Sequence, residues 1–189
     1  FLKNKFLFFK ILISSLPIMV VGFFLVQSGL VEKIRNLEVI AWTTLIFGFL
    51  LYLSDKFKLT NNLKDNYSYK AAFLIGILQI LSLIPGVSRS GIAITAARLL
   101  NFKRIDSAKI SFLLSIPILG AVSIFGLKNI ILSENLGFTQ VNLFSIIVSF
   151  LFSLITIKFF LKYINKFSFN IFVYYRVILG LVLLSITYL

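Results

Sequence analysis

Pro85-Gly86-Val87-Ser88-Arg89-Ser90-Gly91 interrupts an otherwise apolar segment running from Ala71 to Leu100. The leg before the break, Ala71 to Ile84, has 14 residues, about 21 Å as a helix at 1.5 Å per residue. That is too short for a hydrocarbon core of about 30 Å. Pro85 disfavours helical geometry at Ile84, and Gly86 permits a reversal. A second short leg follows, from about Ser90 to Leu100. Two half-helices meeting at a polar turn are tolerated at membrane depth only where protein or water shields the freed backbone. The pattern over about 69–100 therefore predicts a re-entrant helical hairpin.

The remainder supplies the setting. The chain of 189 residues is 59% hydrophobic, with 22 Phe and a mean hydropathy of +1.03. Soluble domains of this length are rarely so apolar. Spans are predicted at Leu7 to Val26, Val39 to Leu53, Ser111 to Leu127, Val141 to Phe160 and Asn170 to Leu189, with a polar run Lys103 to Lys109 before the third. Pro17 and Gly22 mark kink or packing points in the first. No linker or low-complexity stretch divides the chain. The fold class is all-α: a polytopic membrane protein of about five spanning helices plus one re-entrant hairpin, in a single domain over residues 1–189.

Charge orients it. Lys and Arg outnumber Asp and Glu, 19 to 6. The start, the loop Asp55 to Lys70, the region Arg98 to Lys109 and the region Lys158 to Lys166 are net positive, while Gln27 to Glu38 and Lys128 to Gln140 are neutral. If the hairpin returns to the side it entered, every basic region is cytoplasmic and every neutral one external, as the positive-inside bias requires. Its tip then lies beyond the midplane, in a site opening to the outer face. The basic excess reflects this bias and not nucleic acid, since no basic stripe with stacking aromatics lies on a polar face. With no Cys and no His, disulfides, thiolate metal sites and a histidine base are excluded within this chain.

Intramembrane ionisable groups are rare and usually functional. A helix starting near Ser90 leaves amides of Ser90, Gly91 and Ile92 unpaired, with Ser88 as N-cap. That helix end favours an anion, and Arg89 adds a planar fork suited to phosphate oxygens. Gly91 allows close approach to the backbone, and carbonyls ending the first leg favour a cation. The alternative is a broken helix whose Arg89 pairs with a carbonyl or carboxylate, although all six acidic residues are placed in loops. Gln79 serves either the site or a helix contact. Arg176 is read first as snorkelling to an interface, and second as facing the cavity. Trp42, Tyr163, Tyr174 and Tyr175 read as interfacial anchors, and Ser14-Ser15 and Thr43-Thr44 as packing residues.

With these residues in hand, the sequence resembles the undecaprenyl-diphosphate phosphatase family, also called bacitracin-resistance proteins. The resemblance rests on Gly76-Ile77-Leu78-Gln79 and Leu83-Ile84-Pro85-Gly86-Val87-Ser88-Arg89-Ser90-Gly91. It continues through Ser111-Phe112-Leu113-Leu114-Ser115-Ile116-Pro117 and Tyr175-Arg176-Val177-Ile178-Leu179-Gly180. It implies a bacterial inner-membrane enzyme that removes the terminal phosphate of undecaprenyl diphosphate, recycling the cell-wall lipid carrier. The implied fold is an inverted repeat with two re-entrant hairpins and an outward-facing site. Ser88, Arg89 and Ser90 would be catalytic, and Gly86, Gly91, Gln79 and Arg176 would bind a polyprenyl diphosphate. Polyprenyl-phosphate transport and a non-catalytic membrane subunit are the competing readings.

Two departures stand out. Ala93 occupies the family's Thr position, and Thr95 lies about 200° around the helix from it. The family's Glu-rich motif followed by Ser-Ser-Thr-Gly-His is not present. The expectation is therefore a C-terminal two-thirds of the enzyme, with the base and the ligands of a divalent ion (Mg or Ca) upstream. Such a chain would bind diphosphate headgroups weakly and turn over little.

Overall fold

A computed structural model describes residues 5–56, 59–132 and 140–188. Lys3, Lys58, Glu134 and Leu189, which entered the readings of loop charge and span ends, lie outside the described residues. The elements are α1 (Lys5–Gln27), α2 (Leu30–Lys33), α3 (Leu37–Asp55), α4 (Leu63–Asn66), α5 (Tyr69–Gln79) with a 3-10 turn (Ile80–Leu83), α6 (Arg89–Leu99), α7 (Arg104–Leu132), α8 (Gln140–Lys166) and α9 (Asn170–Tyr188). Among the described residues five helices, α1, α3, α7, α8 and α9, carry a stretch long and apolar enough to cross a bilayer. The chain is all-α and polytopic.

The helices are longer than hydropathy alone predicts. Asn36 accepts a hydrogen bond from the Val39 amide (2.8 Å) and starts α3 two residues before the apolar run. The polar run Lys103 to Lys109 is almost wholly the first turns of α7 and no loop. Glu38, Asp55 and Asp106 are likewise helical, so the placement of all six acidic residues in loops is corrected.

The two short legs form a hairpin whose feet are tied together. Asn61, ahead of α5, receives and returns backbone hydrogen bonds across Asn101 and Lys103, both 3.0 Å. Its amide also reaches Leu100 O (3.1 Å), and the buried rings of Tyr67 and Phe102 pack edge-on at 6.0 Å. The chain leaves the hairpin where it entered. Ser68 caps α5 through the Ala71 amide (3.1 Å). α5 packs on α1 at Gly76, where a side chain would run into the Ser14 carbonyl. Gly22, one of the two packing points read in α1, faces Leu83.

A second knot at this end was invisible to a count of loop charges. Asp55, at the end of α3, is 4% exposed. Its Oδ1 meets Arg104 Nε at 2.7 Å and an Arg98 Nη2 at 3.3 Å, and its Oδ2 accepts from the Phe169 amide at 3.0 Å. One carboxylate thus joins α3, α6, α7 and the entry to α9. Arg98, counted above as a loop charge, is 3% exposed inside this knot.

Candidate active site

The hairpin tip is held from three sides. Thr43 Oγ1 lies 2.5 Å from Pro85 O and 2.7 Å from Val39 O, so one proton serves both the tip and its own helix. Thr44 Oγ1 donates to Gly86 O (3.3 Å). Arg176, from α9, donates through Nη2 to Gly86 O (2.7 Å) and Val87 O (2.9 Å). Ser111 Oγ, from α7, reaches Ser90 O (3.4 Å). Thr43-Thr44 are therefore clamps on the tip and more than packing residues. From Asp55 to Thr43 is twelve residues of α3, so the tip stands about 18 Å from the knotted end.

Arg176 corrects the preferred reading of that residue. It is 8% exposed, its Cβ packs against Gly48, and its head runs into the molecule and not to an interface. The tip carbonyls do meet a cation, as half-helix ends favour, but that cation is this guanidinium. Arg89 contrasts with it: half-buried, it has no hydrogen bond or ion pair among the described residues. The reading in which Arg89 pairs with a carbonyl or carboxylate fits Arg176 instead.

The tip backbone bends as its composition requires. Gly86 has φ +89°, and Ser88, though not glycine, has φ +69°. Such a conformation costs an ordinary residue about 1–3 kcal/mol and concentrates at functional sites. The strained Ser88 caps α6 by accepting from the Gly91 amide (3.2 Å), and the Ile92 amide donates to Ser88 O (3.0 Å). Of the three amides predicted to be open, only that of Ser90 is without a partner among the described residues; the Arg89 amide joins it. Ser88 Oγ and Ser90 Oγ are 3.5 Å apart and both exposed.

A cavity of about 520 Å³ opens beside the tip. Gly86, Ser88, Ser90, Gly91 and Arg176 form its polar part, with Ile94, Phe160, Phe172 and Leu179 among its apolar walls. Arg176 Nη1 lies 2.8 Å from where a Gly91 Cβ would stand, so glycine there lets the guanidinium sit against the backbone. Tyr175, read as an anchor, also lines it. Neither Gln79 nor the Arg89 side chain belongs to the lining. Gln79 is 1% exposed between helices, with Oε1 unpartnered among the described residues. No three His, Cys, Asp or Glu side chains gather among the described residues. The donors present among the described residues do not fit a divalent ion.

Residues 2–182 match the family model described as Bacitracin resistance protein BacA. The chain belongs to the bacitracin resistance protein family. Among curated relatives, the undecaprenyl-diphosphatase of Pelagibacter ubique is 50% identical over 187 residues, 98% of this chain and 73% of that protein. That of Jannaschia sp. is 37% identical over 95% of this chain and 67% of its own length. That of Roseobacter denitrificans is 38% identical over 98% and 70%. In this bacitracin resistance protein, the strained Ser88 and the clamped Gly86 carbonyl stand in the polar part of a cavity whose other walls are largely apolar.

Gly86→Ala is expected to disrupt this tip. The methyl would meet the Thr43 hydroxyl and come within 2.6 Å of Ile40 O, at a positive φ. Gly29 has φ +65° with open space around it, so Gly29→Ala carries the backbone term alone, about 1–2 kcal/mol. Thermal midpoints in one detergent should fall at least twice as far for Gly86→Ala. Equal shifts would mean the tip is loosely held.

Proposed function

We propose that this protein hydrolyses undecaprenyl diphosphate to undecaprenyl phosphate and inorganic phosphate. The observation that carries this reading is the cavity: hydroxyls and a guanidinium at one end, aromatic and aliphatic walls along the rest. That gradient matches a lipid whose diphosphate head is anionic and whose tail is hydrocarbon. The names of the relatives agree with it.

In the reaction water adds across the anhydride. The terminal phosphorus gains an oxygen, its bond to the bridging oxygen breaks, and that oxygen leaves on the lipid monophosphate. Little covalent work falls to the protein; positioning and charge compensation dominate. Arg176 is anchored through Nη2, and its Nη1 faces the Gly91 backbone, fixed before substrate arrives. Such preorganised donors act most strongly where water is excluded. Arg89, at the tip but outside the cavity lining, supplies a second fork that has no side-chain partner to give up among the described residues. Ser88 and Ser90 bring exposed hydroxyls to the cavity, either as nucleophile or as ligands of the phosphoryl oxygens. We place the site toward the outer face of the plasma membrane, because the knotted end carries the basic residues and the tip stands about 18 Å from it.

The test is slow phosphate release from undecaprenyl diphosphate by the protein in detergent, since a chain without the family's Glu-rich and Ser-Ser-Thr-Gly-His motifs is expected to turn over little. A hydrolase releases phosphate with no bilayer present. A flippase with the same hairpin releases none, and that result would overturn the reading.

A further inference from the structure

At the knotted end lies a second pocket, of about 420 Å³, far from the tip. Lys56, Lys103, Arg104, Lys166 and the buried Arg98 line it together with Leu59, Ile105, Ile164 and Asn165. Among the described residues no acidic side chain is in the lining. Asp55, which pairs with the lining residues Arg98 and Arg104, already has both oxygens engaged. Lys56, Lys103 and Lys166 are exposed, and their ammonium groups make no hydrogen bond or ion pair among the described residues. Lys56 Nζ instead sits 4.7 Å from the centroid of the Tyr52 ring.

Asp55 offsets part of the charge of Arg98 and Arg104, and the three lysines still repel one another and that pair unless a further anion joins them. The cavity's position identifies that anion. It is built from the end of α3, the start of α7 and the end of α8, the points where three spanning helices leave the hydrocarbon. Basic pockets between helices at this level suit phospholipid head groups. Its wall also alternates ammonium groups with Leu59, Ile105 and Ile164, which a bare hydrated phosphate would not use but a glycerol backbone and its acyl ester would. We propose that this pocket binds the phosphate of an acidic phospholipid from the surrounding leaflet, bridging α3, α7 and α8 at the foot of the hairpin. The inference is independent of the reaction at the tip.

The test uses the protein in a neutral detergent, with short-chain phosphatidylglycerol, phosphatidylcholine of equal chain length, or inorganic phosphate titrated in. The thermal midpoint is the readout. Phosphatidylglycerol is expected to raise it saturably, and the other two to leave it unchanged at the same concentrations. Lys103→Gln with Lys166→Gln should raise the half-saturating concentration about 30-fold, from roughly fivefold per surface cation. Lys103→Arg with Lys166→Arg should keep it within about threefold of the parent. Should the double glutamine variant fail to fold, Lys166→Gln alone, at an exposed helix end, should still show the single fivefold step. An equal response to phosphatidylcholine would overturn the charge argument. An equal response to inorganic phosphate would make this a free-phosphate site and overturn the lipid. Unchanged titrations in the glutamine variants would place the effect elsewhere.

Discussion

Asp55→Ala is expected to lower the thermal midpoint in detergent by on the order of 10 °C, more than any other single carboxylate removal in this chain. The carboxylate takes the Arg104 Nε at 2.7 Å, an Arg98 Nη2 at 3.3 Å and the Phe169 amide at 3.0 Å. Removing it leaves the Arg98 head, 2% exposed in its side chain, without its counter-charge. Breaking a buried pair by deleting one partner costs about 3–5 kcal/mol, because the remaining charge stays desolvated. For a chain of this size each kcal/mol moves the midpoint by about 2–4 °C. Asp55→Asn should lose nearly as much. Its amide keeps one acceptor, so it can serve the Phe169 amide or the arginines, and the donor end then faces another donor. Glu38→Ala gives the contrast, since Glu38 is exposed and its side chain accepts, among the described residues, only from the Tyr188 hydroxyl; a change within about 2 °C is expected. If Asp55→Ala matched Glu38→Ala, the knot would contribute nothing and the foot of the hairpin would be held by the Asn61 hydrogen bonds and apolar packing.

The hairpin was legible because its signal is local. Fourteen apolar residues, a proline, a glycine and a serine cap all lie within one short segment, and the structure places the legs and the N-cap where those residues put them. The partners of the tip were not legible, for a physical reason. Thr43 and Thr44 meet carbonyls 42 residues away, Asp55 meets arginines 43 and 49 away, and Arg176 meets Gly86 across 90. Nothing in the spacing of a polar residue on an apolar helix says which neighbouring helix it faces. Arg176 is the instructive case. An arginine six residues into a span has a nearby interface to reach, and snorkelling is the usual outcome. Here two carbonyls freed by the Pro85-Gly86 break offer a better partner deeper in the molecule. Gly48 and Gly91 leave the room to reach it. The broken helix and the buried arginine are one device, because each satisfies what the other leaves exposed.

Arg89 and Arg176 should therefore separate when each is replaced. Arg89→Ala is expected to lower kcat/KM for phosphate release by about 10²–10³, the usual effect of losing one donor to a developing oxyanion. Its thermal midpoint should stay within about 2 °C of the parent, since the side chain makes no bond among the described residues. Arg89→Lys keeps the charge and loses the fork, and should recover less than a tenth of the lost activity. Arg176→Ala should show a comparable loss of activity together with a fall in the midpoint. It removes both guanidinium bonds to Gly86 O and Val87 O, leaving the first of them, among the described residues, only the Thr44 hydroxyl at 3.3 Å. Leaving a buried acceptor unsatisfied costs about 1–3 kcal/mol. Arg176→Lys can reach one carbonyl at a time, so stability should return further than activity does. Two results would count against this division. If Arg89→Ala destabilised the protein as much as Arg176→Ala, Arg89 would be a structural ligand of the tip. If Arg176→Ala lost stability but kept its turnover, the guanidinium would hold the hairpin without acting on the phosphate.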